Sequence, residues 1–142
     1  MIENNALNYF STSTYQHYSS TRNSRSALEG FYCYSHDYAF FTNTNYPKYW
    51  LINLLEPRRI KSIVYVVPVD TNIHTYFSNV KFRLGDNSNY VHNSLIASFS
   101  GEASDRYPHE IVLNPPVMGQ YLSIESSDSN YVALAAIQIN EE

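Results

Sequence analysis

The sequence predicts an all-β domain, a sandwich or a barrel of short strands. Three observations support this class. Short apolar runs are separated by turn-forming residues, no stretch shows a helix-length 3.6-residue repeat, and only 15% of the residues are charged. Soluble proteins carry about 25% charged residues on average, and helices exposed to solvent use many of them. The 14 tyrosines and 15 asparagines suit strands and turns instead.

The first 48 residues are predicted to form long loops. "STSTYQHYSSTRNSRSALEG" is polar and "FYCYSHDYAFFTNTNYPKYW" is aromatic, and neither shows apolar periodicity. Loops of this length are uncommon within a compact domain and often carry function. We therefore expect a binding site here before anywhere else.

The remainder of the chain reads as strands separated by turns. Val80, Phe82 and Leu84 alternate with two basic residues, which is the period-two pattern of a half-buried strand. Ile60–Val67 is nearly continuous apolar sequence, which indicates a central strand covered on both faces. Segments such as "EPRR", "NPPVMG" and "SSDSN" carry the residues that turns favour. The predicted strands are Tyr49–Leu54, Ile60–Val67, Asn79–Leu84, Ser94–Phe99, His109–Leu113, Gln120–Glu125 and Tyr131–Ile139.

Length and charge limit the classes of partner. A chain of 142 residues is expected to be one domain, residues 1–142, with a core that needs no disulfide or metal. The net charge is −4 and the only basic cluster is Arg58, Arg59 and Lys61, so we expect no nucleic-acid partner. No apolar run approaches the roughly 18 residues of a membrane span. With one cysteine, Cys33, the chain forms no internal disulfide, and we expect an unreactive thiol.

The compartment stays open at this point. "MIENNALNYF" has neither a basic start nor an apolar stretch, so we expect either an intracellular protein or a mature form. None of the asparagines stands in an Asn-x-Ser/Thr acceptor, which leans towards an intracellular chain.

No pattern predicts an enzyme. The five histidines show no i, i+4 pair or metal-ligand spacing, and four glycines form no phosphate-binding loop. Ser35–Asp37 ("SHD") resembles a catalytic triad in letters only, because triad members meet in space rather than along one loop.

Four stretches in order resemble the discoidin family (coagulation factor 5/8 type C domains), and within it the fucolectin-like F-type lectins. They are "NNALNYFSTST", "SALEG", "PKYWLINL", and "NVKFRLG" followed by "GQYLSI". The resemblance implies an eight-stranded jelly-roll β-sandwich with recognition loops at one end. It also implies extracellular carbohydrate binding. F-type lectins bind fucose through a histidine and an Arg-x-Asp-x4-Arg motif.

Position by position, the fucose motif is absent. Its two arginines fall at Val69 and Tyr76, its aspartate at Thr71, and its histidine at Phe40 or Phe41. The resemblance therefore implies a lectin-like glycan or glycoprotein binder with a non-fucose or altered specificity. A structural calcium is not expected. Glu29 and Asp37 offer carboxylates, but Ala135-Ala136 stand where the family carries a closing one, and Ca²⁺ wants six to eight oxygens.

Polar and aromatic side chains in two loops form the predicted ligand site. Carboxylates and amides bind vicinal hydroxyls, while tyrosine offers a rigid ring with a polar tip. One loop is Val69–Tyr76 and the other is Tyr34–Asn45. The candidate residues are Asp70, Asn72, His74 and Tyr76 from the first, and His36, Asp37, Tyr38 and Asn43 from the second.

Two other interpretations stay open. In the first, the loop Val69–Tyr76 has lost its ligand and keeps polar residues because it faces water. The same aromatic loops would suit a protein–protein or self-assembly interface, where tyrosine is enriched. Insertion into an anionic membrane is disfavoured, because Asp37 and Asp70 lie beside the loop tips where basic residues would be needed.

Overall fold

A computed structural model describes residues 8–11, 40–41, 48–67, 78–102, 107–126 and 132–142. For residues 8–11, 40–41 and 101–102 it describes the backbone alone. These residues form eight strands and one short 3₁₀ helix, Tyr90–His92. The strands are β1 (Asn8–Ser11), β2 (Phe40–Phe41), β3 (Lys48–Val66), β4 (Ser78–Gly85), β5 (Ser94–Glu102), β6 (His109–Ser126), β7 (Ala133–Leu134) and β8 (Ala136–Glu141).

The strands form two antiparallel layers that share β3 and β6. In the front layer, the first half of β3 lies between β1 and the second half of β6, which then pairs with β4, and β4 with β5. In the back layer, the second half of β3 lies between β8 and the first half of β6. The short strands β2 and β7 pair separately. The expected all-β sandwich is therefore confirmed.

The core lies between the layers and follows the alternation in the sequence. Val80, Phe82 and Leu84 of β4 are buried while the lysine between the first two is exposed, as the period-two pattern predicts. Across the core, the ring of Tyr65 in the back layer lies 5.2 Å from that of Phe82 in the front layer, centroid to centroid. Ile60–Val66 lies between two strands, so its predicted central position is confirmed, but it is not covered on both faces, because the lysine within it is exposed.

The segments "EPRR" and "NPPVMG" are corners, and their prediction as turns between separate strands was wrong. β3 continues from Lys48 to Val66, and β6 from His109 to Ser126. Pairing between the two strands is interrupted after Asn53, resumes with Arg58 opposite Gly119, and shifts again between Ile60 and Ser62. At these two irregularities the strands pass from the front layer to the back layer, and they pair on both sides of the corner.

Other differences concern the start of the chain and two strand ends. The first 48 residues were predicted as loops, but they contain β1, which pairs with β3, and β2. β5 extends three residues beyond the predicted Phe99, to Glu102. The last predicted strand, Tyr131–Ile139, is divided by a bend at Ala135 into β7 and β8. Among the residues the structure describes, no helix is long and apolar enough to cross a membrane.

Candidate functional site

The strand ends of the front layer meet at one end of the sandwich. Lys48, the first residue of β3, pairs with Ser126, the last residue of β6, and Ser126 pairs with Val80 near the start of β4. Ser78 at the start of β4 pairs with Glu102 at the end of β5. The Ser126 Oγ donates a 2.5 Å hydrogen bond to the Ser78 carbonyl, which ties two of these ends together.

The strand ends of the back layer lie at the same end. β3 and β6 each turn a corner at the opposite end, so the end of β3 and the start of β6 return to the level where β3 began. Here Tyr65 pairs with His109 and Val66 with Ala136. The Ala135 N–H donates a 2.8 Å hydrogen bond to the Val66 carbonyl. We call this end, bounded by Lys48, Val67, Ser78, His109 and Ser126, the rim.

The predicted site residues lie outside the described residues. These are Asp70, Asn72, His74 and Tyr76, and also His36, Asp37, Tyr38 and Asn43. Their placement is therefore still a prediction. The described residues that border the first group, Val67 and Ser78, both belong to the rim, and so does Lys48, which follows the second group along the chain.

The calcium candidates Glu29 and Asp37 also lie outside the described residues. Ala135 and Ala136 are described and are buried among apolar side chains. Within the described ranges, no three His, Cys, Asp or Glu side chains come close enough together to hold a metal ion.

The rim has three notable side chains that the sequence did not single out. Lys48 is only 4% exposed, which is unusual for a lysine. The His109 ring stacks on Tyr65 at a centroid distance of 5.4 Å, with 25° between the planes. Tyr107, two residues earlier, is 71% exposed. Each depends on how β3 pairs with β6, which no pattern within one segment reveals.

A polar cluster lies on the outer face of the front layer and extends from near the rim towards the opposite end of β4. Arg83 Nε donates to the Glu125 carboxylate at 2.8 Å, and Arg83 Nη1 donates to the Asn93 carbonyl at 3.0 Å. The ring of Tyr90 lies 4.6 Å from that of Tyr49. Burial, with the Glu125 carboxylate beside it, raises the pKa of Tyr90 to about 12. The phenol is therefore neutral at physiological pH, and the cluster holds the 3₁₀ segment against the sheet.

A shallow groove of about 310 Å³ lies on the outer face of the back layer. Its polar lining includes Lys61, Glu110 and Asn114. The Ser62 hydroxyl at its floor accepts a 3.1 Å hydrogen bond from Asn140, so that group is already satisfied. The groove offers no aromatic side chain and lies away from the rim.

The sandwich is similar to solved carbohydrate-binding structures. A fucolectin from striped bass (Morone saxatilis) serum aligns with a TM-score of 0.85 and 17% identity over 97% of this chain and 47% of the lectin. This chain thus spans about half the length of that lectin. A family 32 carbohydrate-binding module of Clostridium perfringens NanJ, solved with galactose, aligns at 0.74 and 15% identity over 97% and 96% of the two chains. The lectin domain of lectinolysin, complexed with Lewis b antigen, aligns at 0.75 and 16% identity over 96% and 94%.

At these identities the likeness establishes the fold. No protein-family model matches the sequence, and no curated protein matches it either.

Proposed function

We propose that the chain is a non-catalytic carbohydrate-binding module that binds a saccharide at the rim of its β-sandwich. The observation that carries the proposal is the extent of the fold similarity. Lectins and carbohydrate-binding modules align with 94–97% of this chain at TM-scores of 0.73–0.85. At the rim, the strand ends of both layers offer several chain segments to one ligand, which is the arrangement that a saccharide with hydroxyls on all sides requires.

The side chains proposed to hold the sugar are those predicted from the sequence. Asp70 and Asp37 accept hydrogen bonds from vicinal hydroxyls, while Asn72 and Asn43 both accept and donate. His74 and His36 supply ring nitrogens, and Tyr76 and Tyr38 supply rings with hydroxyl tips. This set carries carboxylates and amides in place of the paired arginines of fucose-binding lectins. The favoured ligand is therefore a sugar other than fucose, or fucose in a different orientation.

Affinity at one site is expected to be weak. Sugars present few apolar atoms, and their hydroxyls exchange water for protein hydrogen bonds. Binding strength would then come from several copies acting together.

A glycan array tests the proposal directly. The purified chain is presented multivalently, with and without EDTA, beside two site variants, Asp70→Ala and Tyr76→Ala. Asp86→Ala is the matched control, because Asp86 is exposed directly after β4 at the end opposite the rim. We expect selective binding that EDTA leaves unchanged, that both site variants abolish and that the control retains. A blank array, or equal binding by all variants, would overturn the proposal.

A further inference from the structure

Tyr107 stands out among the exposed side chains at the rim. It is 71% exposed, the highest value among the large hydrophobic side chains exposed in the described part of the chain, and the only aromatic ring among them. An exposed tyrosine ring forgoes the burial that makes aromatic residues valuable to a core. Most of the surface of Tyr107 is therefore accessible to a ligand at the rim.

The strand register brings Tyr107 to the border of the predicted site. β3 and β6 are antiparallel, with Tyr65 opposite His109. Val67 directly follows β3, and Tyr107 lies two residues before β6, so both lie at the rim just beyond the paired residues. Val67 is the last described residue before the segment that carries Asp70, Asn72, His74 and Tyr76.

The two residues that follow Tyr107 restrict its backbone. Pro108 follows directly, and a residue before proline is restricted to extended conformations. The His109 ring then stacks on Tyr65, and Tyr65 packs on the fully buried Phe82. A ring on such a base loses little conformational entropy when a ligand covers it, which favours binding.

We infer that Tyr107 is a ligand-binding residue whose ring covers the apolar C–H face of a pyranose held at the rim. This inference rests on the proposed carbohydrate binding. Tyrosine suits the task because its ring is apolar and rigid while its hydroxyl remains hydrated or bonds to the sugar.

Three variants and one control separate ring stacking from folding. Tyr107→Ala removes the ring, Tyr107→Leu keeps apolar bulk without a flat ring, and Tyr107→Phe keeps the ring without the hydroxyl. The control is Val112→Ala, because Val112 also lies on β6 and is 67% exposed, but its side chain lies in the groove on the back layer. Thermal unfolding of each variant shows whether it is folded. The probes are galactose, fucose, N-acetylgalactosamine, mannose and glucose, each displayed on a multivalent surface.

We expect Tyr107→Ala and Tyr107→Leu to lose roughly five- to tenfold in affinity for the sugar that the parent chain binds. Tyr107→Phe and Val112→Ala should stay close to the parent. Unchanged binding by both the Ala and Leu variants, while the parent binds, would overturn the role of Tyr107 and leave the proposed function standing. A parent chain that binds none of the five sugars would overturn both.

Discussion

Gly119 shows how a single residue is fixed by the geometry of the corner. It lies in β6, buried, where the strand passes between layers and approaches β4. A Cβ atom added here would lie 2.6 Å from Leu84 Cδ1 and 2.9 Å from the backbone nitrogen of Gly85. A side-chain terminus can rotate away, but a backbone atom in a paired strand cannot.

Gly119→Ala is therefore expected to lower the free energy of unfolding by about 1–3 kcal/mol, the usual range for overpacking a core. Denaturant unfolding measures this change. The control is Ser98→Ala, an exposed position on the neighbouring edge strand β5 that should change stability little. Equal stability of the two variants would show that the corner has room for a methyl group.

Tyr90 makes the stability of the domain depend on pH in the alkaline range. Burial raises its pKa from 10.0 to about 12, and the Glu125 carboxylate adds to the shift. Because the pKa of Tyr90 is higher in the folded state than in the unfolded state, the folded protein keeps the phenol proton up to a higher pH. Tyr90 then contributes fully below pH 10, and its contribution is lost as pH rises from 10 to about 12.

We expect Tyr90→Phe to lose less stability than the parent chain over that interval, measured by denaturant unfolding at matched pH values. Glu125→Gln should lower the tyrosinate midpoint of Tyr90 without restoring the ordinary value, because the main cause, burial, remains. If the free energy of unfolding fell equally with pH in the parent and in Tyr90→Phe, the raised pKa of Tyr90 would be contradicted.

Among the elements, the corner of β3 has an unusual backbone. Leu55 adopts φ of 72° and is 44% exposed, while its N–H donates a 2.8 Å hydrogen bond to Asn53 Oδ1. A leucine in the left-handed region costs roughly 1–2 kcal/mol, which glycine avoids. The neighbouring strand pairs on both sides of the corner hold Leu55 in this conformation.

Leu55→Gly is expected to raise the free energy of unfolding by up to about 1 kcal/mol, since relief of strain exceeds the added freedom of the unfolded chain. Leu95→Gly is the matched control, because Leu95 is 51% exposed in the regular strand β5. The unfolded chains gain the same freedom in both variants, so their difference reports the folded backbone. Destabilisation of equal size in both would contradict the strain at Leu55.

For the whole molecule, short-range pattern predicted the buried faces but not the path of the chain. The alternation around Phe82 identified core positions because a strand places every second side chain on one face. The same reasoning misjudged "EPRR" and "NPPVMG", because proline, arginine and asparagine occur both in turns and at corners. Only the partner strand decides between them, here through the pairing of Arg58 with Gly119.

The candidate site was also predictable only in part, because short-range pattern does not show which segments meet. Loop composition identified Asp70 and Tyr76 as polar and aromatic candidates, and these stay predictions because they lie outside the described residues. Tyr107 was missed because "DRYPHE" reads as an ordinary polar connection. Its significance comes from the register between Tyr65 and His109, two residues 44 positions apart in sequence.

Ligand binding should also appear in the stability of the whole domain. A ligand that binds only the folded state raises the free energy of unfolding, by about 2.7 kcal/mol at a concentration 100 times its dissociation constant. A weakly bound sugar must be used at high concentration, where sugars stabilise any folded protein by exclusion from its surface. The parent chain therefore needs a reference that shares this general effect and lacks the site.

Asp70→Ala provides that reference, and thermal unfolding with the sugar selected by the array provides the measurement. Without sugar, we expect the variant to unfold within about two degrees of the parent, because Asp70 belongs to a predicted loop and surface substitutions usually change stability by less than about 0.5 kcal/mol. With sugar, the parent should gain more than Asp70→Ala, and the exposed control Asp86→Ala should gain as much as the parent. If all three gain equally, the stabilisation comes from solvent exclusion and Asp70 does not bind the sugar. A lower unfolding temperature of Asp70→Ala without sugar would instead assign Asp70 to the scaffold.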